Sequence, residues 1–246
     1  PTFISQKGWP TTHFDMDSVE AVGLIKLDIL AQGGLAVLRD TLAMLAERDV
    51  TVELENLEPW EDPGIWDMIS TGQNRGVHHI ESPAMCSLAR MACVRDIDRL
   101  IAIVSVIRPG AANSLKKLEF CRRAQGLEEV IPLHPSLEPV LRSTFGVIAY
   151  EEHILQICEA FAGLNGGRSD MLRRALVKMD EAKVEEVGRE FIASALALGR
   201  TKTDIRAVWE LISGFQGYAF CRAHSTAYGV EAYQGALLKR YHPAEF

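Results

Sequence analysis

The sequence predicts a mainly α fold with a small α/β edge near its beginning. Three observations predict it. From Asp62 onward, apolar residues recur at helical spacing. One early segment, Gly23-Leu24-Ile25-Lys26-Leu27-Asp28-Ile29-Leu30, alternates with the period of two that a strand imposes. Glycines and prolines punctuate the helical stretches as stops. With 48% hydrophobic and 24% charged residues in a length of 246, the chain has the composition of a globular protein able to bury a core.

Asp17-Ser18-Val19-Glu20 reads as a capping box opening a short helical turn that ends near Gly23. In the strand that follows, Ile25, Leu27 and Ile29 share one face, and Lys26 and Asp28 project together from the other. Gly33-Gly34 breaks the strand, and a helix over 35–48 carries Leu35, Leu38, Leu42 and Leu45 on one stripe. Asp62 caps the next helix, with Pro63 at its first position. Further helices are predicted over 83–95, 97–107, 114–125, 136–143, 150–163, 169–179, 181–198, 203–214 and 226–241. No fixed-period repeat or low-complexity tract interrupts them.

Composition excludes several classes. Five cysteines without a C-x-x-C pair argue against a disulfide framework and a thiolate zinc module, and place the chain in a reducing, cytoplasmic setting. No apolar run approaches the ~18 to 20 residues that span a bilayer, and no signal-peptide pattern opens the chain, so no membrane partner is expected. Lys and Arg number 26 against 33 Asp and Glu, a formal charge of −7, so nucleic-acid binding would need a local basic patch. The start at Pro1 and the end just after a helical segment read as a piece of a longer protein.

Asp28 beside Lys26 suits phosphoryl chemistry: a carboxylate is a ligand for Mg²⁺, and a lysine on the same face meets phosphates. The same pair is also what a solvated strand face looks like. Asp15-Met16-Asp17 presents two carboxylates, but Asp17 is better used as the helix cap. In the helix from Ser169, which caps it, Arg174 and Lys178 form a basic stripe with Arg173 about 100° round. Leu172, Ala175, Leu176 and Met179 face inward there. The arginines suit phosphate oxygens, or form a solvated face partly neutralised by Asp170.

Gly217 to Tyr228 packs aromatic, cationic and small residues into a loop feeding a helix capped by Ser225. His224 and Tyr228 then lie near the positive helix end, a base can stack on Tyr218 or Tyr228, and Arg222 can meet a phosphate. The alternative is a set of core aromatics, Phe220 among them, around an ordinary cap. His78-His79 with Glu81 and Cys86 matches neither a helical metal pair nor a finger. No G-x-S-x-G, Walker or Rossmann pattern is present.

Several separated phrases occur in collinear order. They are Phe14-Asp15-Met16, Gly23 to Leu30, Ile107-Arg108-Pro109-Gly110, His134 to Leu141, Gly146 to Glu152, Asp170 to Ala175, Gly217 to Phe220, His224 to Tyr228 and Tyr241 to Phe246. Together the chain resembles the C-family DNA polymerases, the bacterial DNA polymerase III alpha subunits, over nearly its whole length. The resemblance implies that residues 1–33 end a nucleotidyltransferase-like palm and that 34–246 form helical fingers. It implies that Asp28 is the third catalytic, metal-binding aspartate and that Lys26 meets the nucleotide triphosphate. It puts Arg173 and Arg174 on triphosphate oxygens and His224 and Tyr228 near the nascent base pair, and Arg108 and Arg222 are read with them as substrate-binding.

The implied activity is template-directed nucleotidyl transfer by a two-metal, Mg²⁺-dependent mechanism, with primer-template DNA and dNTP as partners. A sliding clamp and other replication or repair subunits would join the intact protein. The family's other two aspartates have no counterpart here, so the chain alone is expected to be inactive. Val77 to Ser82, Ala111-Ala112 and Tyr150-Glu151-Glu152-His153 depart from the family pattern and suggest a divergent or accessory copy. The rival readings are a non-catalytic module derived from polymerase fingers that binds nucleic acid or a partner, and a plain helical scaffold.

Overall fold

The computed structural model describes residues 1–25, 27, 32–106, 114–215 and 221–246. The chain divides into two compact units, residues 1–33 and 34–246.

The first unit holds the one sheet among the described residues. Strands β1 (Thr2–Ile4) and β2 (Pro10–Thr12) pair antiparallel, with Thr2 opposite Thr12 and Ile4 opposite Pro10. Helix α1 (Met16–Ala21) follows, and its cap is Asp15 rather than Asp17: the Ser18 backbone N–H donates to Asp15 Oδ1 at 2.7 Å. The Ser18 side chain, and after it this backbone bond, holds the Asp15 carboxyl below its ordinary pKa. The strand expected over 23–30 is not seen where it is described: Gly23 lies in a turn, and Leu24, Ile25 and Leu27 are neither strand nor helix. Alternation states which face each residue would take, but a strand exists only through a ladder to a neighbour. Lys26 and Asp28 lie outside the described residues.

The second unit is helical among the described residues. It opens with α2 (Gly33–Ala46), then α3 (Pro63–Ser70), α4 (Pro83–Met91), α5 (Ile97–Val106) and α6 (Ser114–Ala124). Asp62 caps α3 as expected, accepting from the Gly64 and Ile65 N–H groups at 2.8 and 3.1 Å with Pro63 at the first position. Ser82 and Pro83 repeat the device at α4. The helix expected over 136–143 is broken into a 3₁₀ turn at Pro135–Leu137, α7 (Glu138–Leu141) and a second 3₁₀ turn at Arg142–Thr144. The Ser136 N–H donates to His134 Nδ1, which starts the first turn.

Helices α8 (Glu152–Ala162), α9 (Gly166–Lys178), α10 (Glu181–Ala197), α11 (Lys202–Ser213) and α12 (Arg222–Tyr241) complete the unit. Two starts differ from expectation. Asn165, not Ser169, caps α9, and Cys221, not Ser225, caps α12. Both serines instead sit one turn inside their helices and are fully buried, their hydroxyls donating back to the fourth preceding carbonyl. Ser225 also accepts from the Ser105 hydroxyl of α5 at 2.5 Å.

Two large apolar cores result, beside smaller clusters at Leu38, Leu45 and Leu238 and at Ile101, Ala149 and Tyr150. Ile65, Ile69, Leu100, Ile103, Phe120 and Tyr233 center one, drawn from α3 to α6 and α12. Ile154, Phe161, Leu172, Phe191, Val208 and Ile212 center the other, drawn from α8 to α11. Met179, expected inward, ends α9 in the left-handed conformation and is exposed.

Candidate functional site

The N-terminus of α8 belongs to one core and the N-terminus of α12 to the other, and the two meet. Arg173 on α9 donates from Nη1 to Glu151 Oε2 at 2.6 Å and from Nε to Asp170 Oδ1 at 2.8 Å. Arg174 reaches the second Asp170 oxygen at 2.7 Å. The Arg222 backbone N–H donates to both Glu152 carboxylate oxygens at 2.9 and 2.8 Å, and its guanidinium lies 5.7 Å from the Tyr150 ring centroid. Ligand atoms of Glu151, Glu152 and Cys221 lie within 4.8 Å of one another. Arg173 and Arg222, 49 positions apart in sequence on the numbering alone, are thus joined through two adjacent glutamates.

The two arginines of α9 differ in environment. Arg173 has 22% of its side chain exposed and is bound by two carboxylates, whereas Arg174 is 68% exposed and bound by one. The Arg173 hydrogen bond, with the charges of both arginines, holds the Asp170 carboxyl below its ordinary range. A half-buried guanidinium held in fixed geometry by carboxylates presents the planar fork that phosphate oxygens match. His153, next to Glu152 in α8, is buried and accepts from the Ala149 N–H at Nδ1. Burial, reinforced by Arg222, pushes its pKa down to about 4.

A second cluster occupies the next turns of α12. His224 lies 4.2 Å from the Tyr228 ring, and Tyr228 stacks on His79 at 3.9 Å and 15°. His79 Nε2 lies 3.0 Å from Glu231 Oε2, and His78 Nδ1 lies 3.5 Å from Glu231 Oε1. Burial holds the His79 imidazole below its ordinary pKa against the opposing pull of Glu231.

The structure therefore brings Arg173, Arg174 and Arg222 into one acidic-basic cluster and His224 and Tyr228 into another. Lys26, Asp28 and Arg108, together with Tyr218 and Phe220, lie outside the described residues. Glu151, Glu152 and Glu231 are participants that sequence reasoning gave no role. A signal for Glu231 was present: it shares a helical stripe with Tyr228, Ala232 and Gly235, where a carboxylate is out of place. The histidine pair recruits Glu231 rather than Glu81 or Cys86. The groove between Arg123, Ile131, Leu137 and Leu141 contains none of the expected site residues. Among the described residues, the two clusters with metal-ligand character mix nitrogen or sulfur with oxygen donors. Neither fits Mg²⁺, which takes oxygen. Also among them, no helix is long and apolar enough to cross a membrane.

Comparison with known proteins places the chain in a family. The model of the bacterial DNA polymerase III alpha subunit finger domain matches residues 34–199. The DNA polymerase III subunit alpha of Aquifex aeolicus is 33% identical over 247 residues, covering 100% of this chain and 21% of that protein. The Caulobacter vibrioides protein of the same name is 34% identical over 237 residues, 96% of this chain and 20% of its own length. An error-prone DNA polymerase of Symbiobacterium thermophilum is 32% identical over 247 residues, 100% of this chain and 22% of that protein. The chain spans about one fifth of the length of these relatives. By the match of the finger-domain model and by identity along its whole length, the chain belongs to the bacterial DNA polymerase III alpha subunit family.

Proposed function

We propose that the chain is the nucleotide-gripping fingers segment of a DNA-directed DNA polymerase, with residues 1–33 ending its palm. The observation that carries this reading is the juxtaposition of Arg173, Arg174 and Arg222 across α8, α9 and α12 in a chain similar to polymerases from end to end. The ligand is a dNTP. Its triphosphate oxygens exchange with Glu151 and Asp170 for the guanidinium groups of Arg173 and Arg174, while Lys26, Arg108 and Arg222 add positive charge. His224 and Tyr228 lie near the nascent base pair.

Asp28 is one carboxylate of a Mg²⁺ site whose remaining ligands come from other parts of the intact protein. When bound, the metal neutralises phosphate charge in the transition state. Primer-template DNA is the second partner, and the sliding clamp and other replication or repair subunits contact the intact protein. One of three expected aspartates cannot build the metal site, so this chain alone incorporates no nucleotide.

Primer extension by the intact parent tests the reading. Asp28→Asn keeps the side chain's shape and is expected to abolish extension while primer-template binding persists. Arg173→Ala with Arg174→Ala is expected to raise KM for dNTP about 10- to 100-fold, the loss of one or two hydrogen bonds to a charged group. A folded, DNA-binding wild type that extends no primer would move the reading to a non-catalytic binding module. An unchanged KM in the double variant would leave the arginines as scaffold.

A further inference from the structure

His78, His79 and Glu231 converge from two distant parts of the chain, the turn before α4 and the middle of α12, with His79 and Glu231 separated by 152 positions. The three side chains aim their donor atoms at one point. His78 Nδ1 and His79 Nε2 are 3.4 Å apart, His79 Nε2 is 3.0 Å from Glu231 Oε2, and His78 Nδ1 is 3.5 Å from Glu231 Oε1. A tetrahedral ion about 2.0 to 2.2 Å from nitrogen and oxygen donors holds those donors about 3.3 to 3.6 Å apart. Two of the three observed spacings, 3.4 and 3.5 Å, fall in that range, and the His79–Glu231 pair stands slightly closer at 3.0 Å.

A second, independent observation points to a ligand. Glu231 is 6% exposed, and its Oε1 is buried without a hydrogen-bond partner. A buried carboxylate oxygen left unpaired is costly and calls for a counter-charge. The histidine pair alone does not supply it. One proton on His79 Nε2 serves Oε2, and 3.5 Å from His78 Nδ1 is beyond normal hydrogen-bonding distance to Oε1.

Room for an ion is built in. A small cavity beside the cluster is lined by Gly34, Gly76, His78 and Glu231. A Cβ on Gly34 would stand 1.8 Å from Glu231 Oε1 and 2.8 Å from His78 Cβ, so only glycine lets the start of α2 pass this close to the cluster. Tyr228 fixes the His79 ring by stacking, and the His78 side chain is 40% exposed, which leaves a path from solvent and room for water as a fourth donor.

We propose that His78, His79 and Glu231 bind a borderline divalent transition-metal ion of the Zn²⁺ class, pinning the turn before α4 to α12. Two imidazoles and one carboxylate select such an ion over Mg²⁺, which prefers oxygen. The site is independent of the polymerase reading and of the Mg²⁺ that reading invokes. Zn²⁺ bound there holds His79, and through it the Tyr228 ring, in one place.

The test is metal binding by this chain, with Zn²⁺ and Co²⁺ as probes and circular dichroism as the folding control. One equivalent of Zn²⁺ is expected to bind wild type and raise its thermal midpoint, with Mg²⁺ in excess failing to compete. Glu231→Gln, of the same shape, is expected to weaken binding about 100-fold or more, since outer-shell partners alone cost 10- to 100-fold. His78→Gln, at the exposed edge, gives a second variant that keeps the fold and should weaken binding likewise. Cys221→Ser, which removes the thiol of the other candidate cluster, should change nothing. Bound Co²⁺ should give a tetrahedral visible spectrum without a thiolate charge-transfer band. The proposal is overturned by a wild type that binds no Zn²⁺ at micromolar concentration, by binding that survives both Glu231→Gln and His78→Gln, or by a thiolate band that is lost in Cys221→Ser.

Discussion

His153 illustrates how one residue links burial to behaviour. It sits at the start of α8 beside Glu152, in a Tyr-Glu-Glu-His run, with its Nδ1 already accepting the Ala149 N–H. Burial and the nearby Arg222 charge keep it neutral down to about pH 4, whereas an unfolded chain protonates it near pH 6.5. The unfolded state therefore binds more protons between those values, so stability falls as pH drops from about 6.5 to about 4 and levels off below. Replacing His153 by Gln removes that contribution. Urea unfolding of wild type and variant at pH 7.5 and 4.5 should show wild type losing about 2 to 3 kcal/mol more than the variant. Equal losses would mean that His153 takes up its proton in the folded state. At the same scale the arginine cluster carries its own expectation, the rise in KM on removing Arg173 and Arg174.

At the scale of elements, the packing of α5 against α12 decides where His224, Tyr228 and Glu231 stand. Gly229 lies at that crossing, and a Cβ added to it would come within 2.7 Å of Ile101 Cγ1 and 3.4 Å of the Ile101 Cα. The close approach also brings Ser105 and Ser225 into their buried hydrogen bond. Gly229→Ala pits a gain of up to about 1 kcal/mol in helix propensity against overpacking of about 1 to 3 kcal/mol. The backbone of α5 at Ile101 has little room to retreat, because Leu100, Ala102 and Ile103 are buried around it. Net destabilisation is expected, measured by thermal or urea unfolding. Ile101→Ala in the same chain should relieve part of it, so that the two changes are less than additive. Additive losses would place the strain elsewhere.

At the scale of the whole molecule, the buried apolar residues of the described chain all lie at Leu38 or later. The first unit has no buried residue of its own in its strands or in α1. A short hairpin and a six-residue helix bury too little to offset the entropy of ordering them, whereas 34–246 carries two cores. Residues 34–246 expressed alone should keep their helical circular dichroism and unfold cooperatively, with a midpoint close to that of the 246-residue chain. Loss of cooperative unfolding in 34–246 would show that the second unit depends on the first. The same division bears on function: the arginine cluster and the His78, His79, Glu231 cluster both belong to 34–246.

How much of this was legible in the sequence depends on the range of the interaction concerned. The helical character and the start of α3 at Asp62-Pro63 were legible because caps and apolar periodicity act within a few residues. The starts of α9 and α12 were misread for the same reason: Ser169 and Ser225 are as good local caps as Asn165 and Cys221. What sets the choice is that both serines are buried in the packed unit, with Ser225 paired to Ser105 of another helix. Within the segment 23–30, the described residues Gly23, Leu24, Ile25 and Leu27 are not in a strand, since alternation alone does not supply a neighbouring strand. The arginine pair, Arg222, His224 and Tyr228 were visible as residue types, and the family resemblance singled them out. Their pairing with Glu151, Glu152 and His79 was not visible, because no local rule connects α8, α9 and α12. The sequence by itself determined a mainly helical protein of the bacterial DNA polymerase III alpha subunit family. Only the tertiary structure decided that a buried carboxylate on α12 faces two histidines 152 and 153 positions away, because that meeting depends on packing rather than on spacing.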